Sequence, residues 1–397
     1  MRKFTSRYGR LGTETAFAVG ADAAAWSAKG NKVFPFHLGD MNIPTPEYIL
    51  DAAIQAARDG KTGYAPGPGI LPLREALADD IGMARGLNLS AENISVQPGG
   101  KPVIGKFLGT LLEEGAEALY PNPGYPIYES QIEYLGGKGL PYGYETTESG
   151  FAINREEIEA QISDQTTVLI YNNYQNPIGA ESSSEEMQWL AELAIKHDLW
   201  VLSDEAYFEV RYSGLSKSIA SLPGMAERTV ILYTFSKKFA MTGWRLGCAA
   251  GPKEVIEAIS KFNTNQESCS NHFVQAAGIA CLKGPSEPQD VILDELKLRR
   301  DVLVDALLGI EGVKVSRPET TFYLFPDVTD IYKRKAYSDS SKFRLDALYE
   351  TGVSFCSREH FGRPLSGEDK VFIRFAYSGI NVDQIEEGLA ALKSFWE

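Results

Sequence analysis

The chain is 397 residues long, with 44% hydrophobic and 23% charged residues, so it can bury a large core and leaves no room for a dominant disordered tail. Its formal charge of −14 repels nucleic acid and anionic membranes, although a small anion needs only a local positive site. The four cysteines, Cys248, Cys269, Cys281 and Cys356, form no CxxC pair, which argues against a disulfide framework or a zinc knuckle and fits a reducing cytoplasm.

The start of the chain, Met1 to Gly12, is polar, and the alanine-rich stretch after it is interrupted by Asp22, so neither a secretory leader nor a membrane span is expected. From Thr45 onward helix-like and strand-like segments alternate, which predicts an α/β fold with a mainly parallel sheet flanked by helices, doubly wound by default. Thr45-Pro46 is expected to open a helix running to Gly60, with Ile49, Ala53, Ile54 and Ala57 on one face. Strands are predicted at 94–97, 116–120, 168–171, 200–203, 230–233 and 246–250, with helical patterns between several of them. After Leu282 the pattern changes to a long charged helix, strands at 313–316 and 321–325, another helix, a strand at 371–376 and a final helix. This predicts a large domain over 45–285 and a smaller α+β domain built from 1–44 and 286–397.

Four places carry chemistry. Tyr233-Thr-Phe-Ser-Lys-Lys-Phe-Ala-Met-Thr-Gly-Trp-Arg-Leu-Gly247 follows a buried strand and gathers hydroxyls, lysines and an arginine. A lysine in a dry site loses its charge and attacks an aldehyde, the guanidinium of Arg245 offers a fork to a phosphate, and Thr234 and Ser236 add donors. A solvated loop whose Lys237-Lys238 pair keeps the protein soluble fits the same composition. Ser203-Asp-Glu-Ala-Tyr207 sets an acid and a phenol at a strand's carboxyl end, where open α/β sheets bind ligands, although a helix cap or solvated turn reads the same way. Gln97-Pro-Gly-Gly-Lys-Pro102 joins a strand to a helix whose N-terminus suits a phosphate, or is a plain turn. Arg374 lies among the apolar residues of Phe372-Ile-Arg-Phe-Ala376, where a charge needs a partner, either a ligand carboxylate or an internal acid.

Together these segments resemble the fold-type I, pyridoxal-phosphate (PLP) dependent aminotransferases of class I and II, in the branch of the bacterial aspartate aminotransferases. The match runs from about Gly39 to the C-terminus in the family's order. The family's lysine signature places the cofactor-bearing lysine eight positions before the phosphate-binding arginine, and 245 − 237 = 8, so the resemblance makes Lys237 the Schiff-base lysine and Lys238 a bystander. It also implies that Asp204 pairs with the pyridine nitrogen, a carboxylate task that strengthens an electron sink. Tyr207 would tune the ring oxygen. Asn172-Asn-Tyr-Gln-Asn-Pro-Ile-Gly179 resembles the N-P-x-G loop, so Asn176 would touch both cofactor and substrate carboxylate. Gly99, Gly100 and Lys101 match the phosphate cup, and Tyr125 matches the aromatic that stacks on the pyridine, where a core aromatic is the alternative. Arg374 would hold the substrate's α-carboxylate. Tyr64 resembles the tyrosine that reaches the phosphate of the neighbouring subunit, which implies a homodimer with shared active sites; a buried turn tyrosine is the alternative.

Three departures concern the substrate. The stretch Gly39-Asp-Met-Asn-Ile43 keeps only the first residue of the family's Gly-Glu-Pro-Asp-Phe, Thr320-Thr-Phe-Tyr323 replaces Gly-Ala-Phe-Tyr, and the loop reads Asn-Pro-Ile-Gly. Gly39 and Lys101 still match substrate-contacting positions. In the resembled branch a lysine at position 101 recognises the distal carboxylate of acidic substrates, so aspartate or glutamate leads as donor and 2-oxoglutarate as acceptor, in ping-pong order; contact with the phosphate or with solvent is the other reading of Lys101. An aromatic donor and a C–S lyase on the same fold are the nearest rivals. A nicotinamide dehydrogenase would need a GxGxxG after a first strand, and none is present.

Overall fold

The structure, a computed structural model, describes residues 3–12, 15–148 and 150–397. Its centre is a seven-stranded sheet in the order Ile94–Gln97, Gly247–Ala250, Thr229–Thr234, Trp200–Asp204, Thr166–Tyr171, Glu117–Pro121 and Lys138–Tyr142. Gly247–Ala250 runs antiparallel to both its neighbours, and the other pairings are parallel. The strands are apolar on both faces because both are covered. Val168, Ile170, Leu202, Val230 and Leu232 pack under the helices Lys101–Leu111, Ile127–Leu135 and Lys253–Gln266. The alternate residues, among them Leu169, Val201, Ile231 and Tyr233, meet the helices Leu71–Arg85, Ser184–Lys196 and His272–Lys283.

A second core lies beside this sheet. Phe34 and Phe36 share it with residues of the C-terminal stretch, including Leu296, Phe343, Phe375 and Trp396. Phe34–Pro35 pairs in parallel with Val353–Ser354, and Ile373–Ala376 lies between Tyr323–Leu324 and Cys356–Ser357. The long helix Glu287–Leu308 packs against the last helix, Val382–Trp396. Residues Ser6–Arg10 sit against the helix Ile127–Leu135.

The local expectations fail where a tertiary partner overrides them. The first large helix spans Glu47–Arg58 with Pro46 outside it as N-cap, and Thr45 donates its hydroxyl to the Ala240 carbonyl oxygen at 2.7 Å rather than capping. Its buried stripe is Ile49, Ala53 and Ala56, while Ile54 is exposed. Segment 313–316 is no strand: only Lys314 pairs, with Asp327, because Arg317 turns to Asp301 and Asp305 on the long helix. The 321–325 strand shrinks to Tyr323–Leu324, since Thr321 adopts φ 64° and Pro326 brings no N–H to the ladder. The edge strand Lys138–Tyr142 escapes sequence reading because Gly139 and Pro141 read as turn residues, yet proline is tolerated at a sheet edge.

Candidate active site

The carboxyl ends of the parallel strands open into a cavity of about 670 Å³. Strand Trp200–Asp204 delivers Asp204 into it, fully buried, with Oδ2 accepting the Tyr128 hydroxyl at 2.6 Å and Oδ1 accepting Ala206 N–H at 3.2 Å. Burial pushes the Asp204 carboxyl up to about 6, against the pull of those two bonds. The carbonyl of the same residue accepts Asn172 Nδ2 at 2.8 Å, and Asn172 Oδ1 receives Asn176 N–H at 3.1 Å. Asn176 thereby stands at the cavity wall, tied to the strand end that carries Asp204.

Strand Thr229–Thr234 runs into the short helix Phe235–Lys238, which points Lys237 into the cavity. Its Nζ donates to the Gly39 carbonyl oxygen at 2.9 Å and lies 5.7 Å from the centroid of the Tyr207 ring and 5.1 Å from that of Phe322. Lys238 does not line the cavity; it turns to Asp80 and Glu209. The Tyr207 hydroxyl meets that of Tyr323 at 2.7 Å, and burial raises its pKa. Gly39 has no room for a side chain, since a Cβ there would come within 2.1 Å of the Tyr323 hydroxyl.

At the other end, Gly100 caps the helix Lys101–Leu111 and Gly99 takes φ 102°. A Cβ on Gly99 would fall 2.2 Å from Arg245 Nη2, and one on Gly247 would fall 2.9 Å from Gly100 N. Arg245 itself adopts φ 56° and donates to the Thr242 carbonyl oxygen at 2.7 Å, so its guanidinium faces this glycine cradle. Thr234 Oγ1 accepts Ser236 N–H at 3.2 Å, and both hydroxyls line the cavity beside it. Tyr125 lines the cavity with Lys101 Nζ 5.6 Å from its ring centroid.

Arg374 is buried between the rings of Tyr323 and Phe361, at 4.5 and 4.6 Å from their centroids. It donates to Asn176 Oδ1 at 3.0 Å and to the His37 carbonyl oxygen at 2.6 Å, both neutral acceptors, and its Nε has no protein partner among the described residues. Burial and the Arg374 charge push His37 down to about 4, so the imidazole at its side is neutral. An internal carboxylate therefore does not account for this cation.

The cavity thus gathers Lys237, Asp204, Tyr207, Asn176, Arg374, Gly39, Gly100, Lys101, Tyr125, Thr234, Ser236 and Arg245, with Gly99 at its rim. Tyr64 is the exception: it is 89% exposed and lies outside the cavity, which rules out a buried turn tyrosine. Sequence reading missed Tyr128, whose hydroxyl holds Asp204, and left Tyr323 without a role. It also missed Phe17, His360 and Phe361 in the wall. The residues fit PLP: a side-chain-free cradle at a helix N-terminus beside an arginine suits the phosphate, and a buried carboxyl with a raised pKa calls for the cationic partner that a pyridinium supplies.

Comparison with known proteins points to one family. The model of the family "Aminotransferase class I and II" matches residues 31–392. An aspartate aminotransferase of Musicola paradisiaca is 32% identical over 399 residues, covering 100% of this chain and 96% of the relative. Among solved structures, an aspartate aminotransferase from Thermus thermophilus with maleate superposes with a TM-score of 0.90 at 29% identity, covering 99% of this chain and 100% of the other. An alanine aminotransferase from Pyrococcus furiosus does so with a TM-score of 0.91 at 26% identity, covering 99% of each chain. Among the described residues no helix is long and apolar enough to cross a membrane.

Proposed function

The chain belongs to the class I and II aminotransferases and is a PLP-dependent aminotransferase, and on that premise we propose that its donor is an acidic L-amino acid, aspartate first. The acceptor is a 2-oxo acid, 2-oxoglutarate foremost, and the two half-reactions use one cavity in turn. One observation carries this choice. Besides Lys237 and Arg245, the cavity has a buried cation, Arg374, and an exposed one, Lys101, on its wall, a pair that suits the two carboxylates of a dicarboxylic substrate. The Thermus structure is described with maleate, itself a dicarboxylate.

In this reading the glycine cradle at 99–100, Arg245, Thr234 and Ser236 hold the phosphate, and Tyr125 covers the ring. Asp204, fixed by Tyr128, keeps the pyridine nitrogen protonated, and Tyr207 donates to the ring oxygen. Bound PLP supplies an electron sink for the pair released at the substrate's α-carbon and carries the amino group between half-reactions. Arg374 and Asn176 orient the α-carboxylate so that the α-hydrogen faces Lys237. Lys237 Nζ would take that proton as base and then, as acid, give it up at a second carbon rather than at the α-carbon. Residues 45–285 form the cofactor-binding unit, and 1–44 with 286–397 the unit that carries Arg374. The protein works in the cytoplasm as a homodimer, in which the exposed Tyr64 reaches the partner's phosphate site.

An aromatic donor is the second reading, favoured by Phe17, Phe361 and His360 in the cavity wall. The test is the visible spectrum of the holoenzyme on adding L-aspartate, L-glutamate or L-phenylalanine without any oxo acid. Aspartate or glutamate should convert the band of the lysine-bound cofactor, and Lys101→Ala should weaken both far more than phenylalanine. Equal losses for all three donors would defeat the acidic assignment. Ammonia and pyruvate released without an acceptor would point to a lyase instead.

A further inference from the structure

The residues that follow the two principal cofactor anchors in sequence lead away from the cavity. The strand ends at Asp204, and while Asp204 faces the cavity, the Glu205 side chain reaches Arg85 of the helix Leu71–Arg85 instead. Lys238, next to Lys237, lies outside the cavity as well. Both end in one charge cluster at the C-terminal turns of helix Leu71–Arg85. Arg85 Nε donates to Glu205 Oε2 at 2.6 Å, with the two side chains 0% and 1% exposed. The Arg85 guanidinium lies 3.7 Å from the centroid of Phe208, and Glu205 Oε1 accepts the hydroxyls of Ser203 and Ser218. Asp80 Oδ1 stands 3.5 Å and Glu209 Oε1 3.8 Å from Lys238 Nζ.

Stability alone does not account for this arrangement. Replacing a buried ion pair by apolar packing is commonly neutral or stabilising, and here Nη1 and Nη2 of Arg85 have no protein partner among the described residues. A charge placed one residue from Asp204 does, however, act on it: Glu205 opposes ionisation of Asp204, and Arg85 is ion-paired to that same Glu205.

We propose that the end of helix Leu71–Arg85 positions both cofactor anchors from behind the sheet, Arg85 acting through Glu205 on Asp204 and Asp80 acting through Lys238 on Lys237. The inference rests on the assignment of Asp204 and Lys237 made above. The other groups that face Asp204 are the phenols of Tyr128 and Tyr207. Those facing Arg85, besides Glu205, are Glu209, the Tyr233 phenol and the Cys248 thiol. Tyr174 faces Glu205, and Cys281 faces Lys238. None of them supplies a positive charge, so Arg85 and Lys238 are the cluster's cations.

The test is a pH titration of the visible cofactor band in holoenzyme carrying Arg85→Met, Glu205→Gln, both together, or Lys238→Met, with kcat and KM measured on each. Loss of a nearby cation favours protonated forms, so Arg85→Met and Lys238→Met should raise the band's midpoint, by about 0.5 to 1 pH unit for Arg85. Glu205→Gln should lower it. Arg85→Met should cut kcat roughly ten-fold with KM within about two-fold, as a loss confined to the transition state requires. The double variant should return midpoint and kcat close to wild type. If Arg85→Met fails to fold, Glu205→Gln decides. An unmoved midpoint and kcat with only a lower melting temperature would reduce the cluster to a structural role and overturn the proposal. A wild-type protein that shows no band with PLP would instead refute the Lys237 assignment and remove this inference with it.

Discussion

Replacing Asp204 by asparagine should strengthen the cofactor-free protein while crippling the enzyme. Burial raises the Asp204 carboxyl from 3.8 to about 6, which corresponds to a cost of about 3 kcal/mol at neutral pH. The sign follows from the direction of the shift. An acid whose folded pKa lies above its unfolded value destabilises the fold fully above the folded pKa, and that cost fades as pH falls from about 6 to 3.8. Asparagine keeps an oxygen for Ala206 N–H, and the Tyr128 hydroxyl can accept from its amide, so neither hydrogen bond need be lost. Cofactor-free Asp204→Asn should therefore melt about 3 to 6 °C higher than wild type at pH 7 and equal to it near pH 4. With PLP present the order reverses, because the variant no longer holds a protonated pyridine, and kcat should fall by roughly three orders of magnitude. Paired calorimetric scans at pH 7 and pH 4, with and without PLP, check both halves. A cofactor-free variant less stable than wild type at pH 7, or a gain that persists unchanged at pH 4, would refute the reasoning.

Lys237→Ala should lose the visible band and reduce transamination by roughly four orders of magnitude, measured by coupled assay, with methylamine restoring part of the proton transfer. Arg374→Ala should raise KM for amino and oxo acids alike by about 100-fold, since both lose one charge-assisted pair of bonds, while the cofactor band stays. Mixing Tyr64→Ala with Lys237→Ala subunits tests the shared site. A mixed dimer rebuilds one intact centre, so activity should exceed that of either variant alone; strict additivity would place Tyr64 outside its partner's site.

The chemistry was legible where the needed residues lie close together in the chain. Lys237 and Arg245 share one loop, and Asp204 and Tyr207 one strand end, so each pair could be matched to a family motif within one short segment. The groups that control them come from elsewhere. Gly39, which accepts from Lys237, is 198 residues away, and Tyr128, which holds Asp204, is 76 away. Periodicity describes a segment's own faces and is silent on which distant segment meets them, so Arg85 looked like any helical cation at a helix end. One of these partners was nonetheless within reach. Pro126 caps the helix Ile127–Leu135, and the Tyr128 N–H donates to the Tyr125 carbonyl oxygen, a single turn that brings both side chains to the cavity. Assigning Tyr125 to the cofactor therefore already implied that a second phenol points toward the same ligand. In the folded chain that phenol donates to the Asp204 carboxyl and favours its ionised form against burial, so Tyr128 belongs beside Asp204 in any test of the proposed pyridine-nitrogen partner.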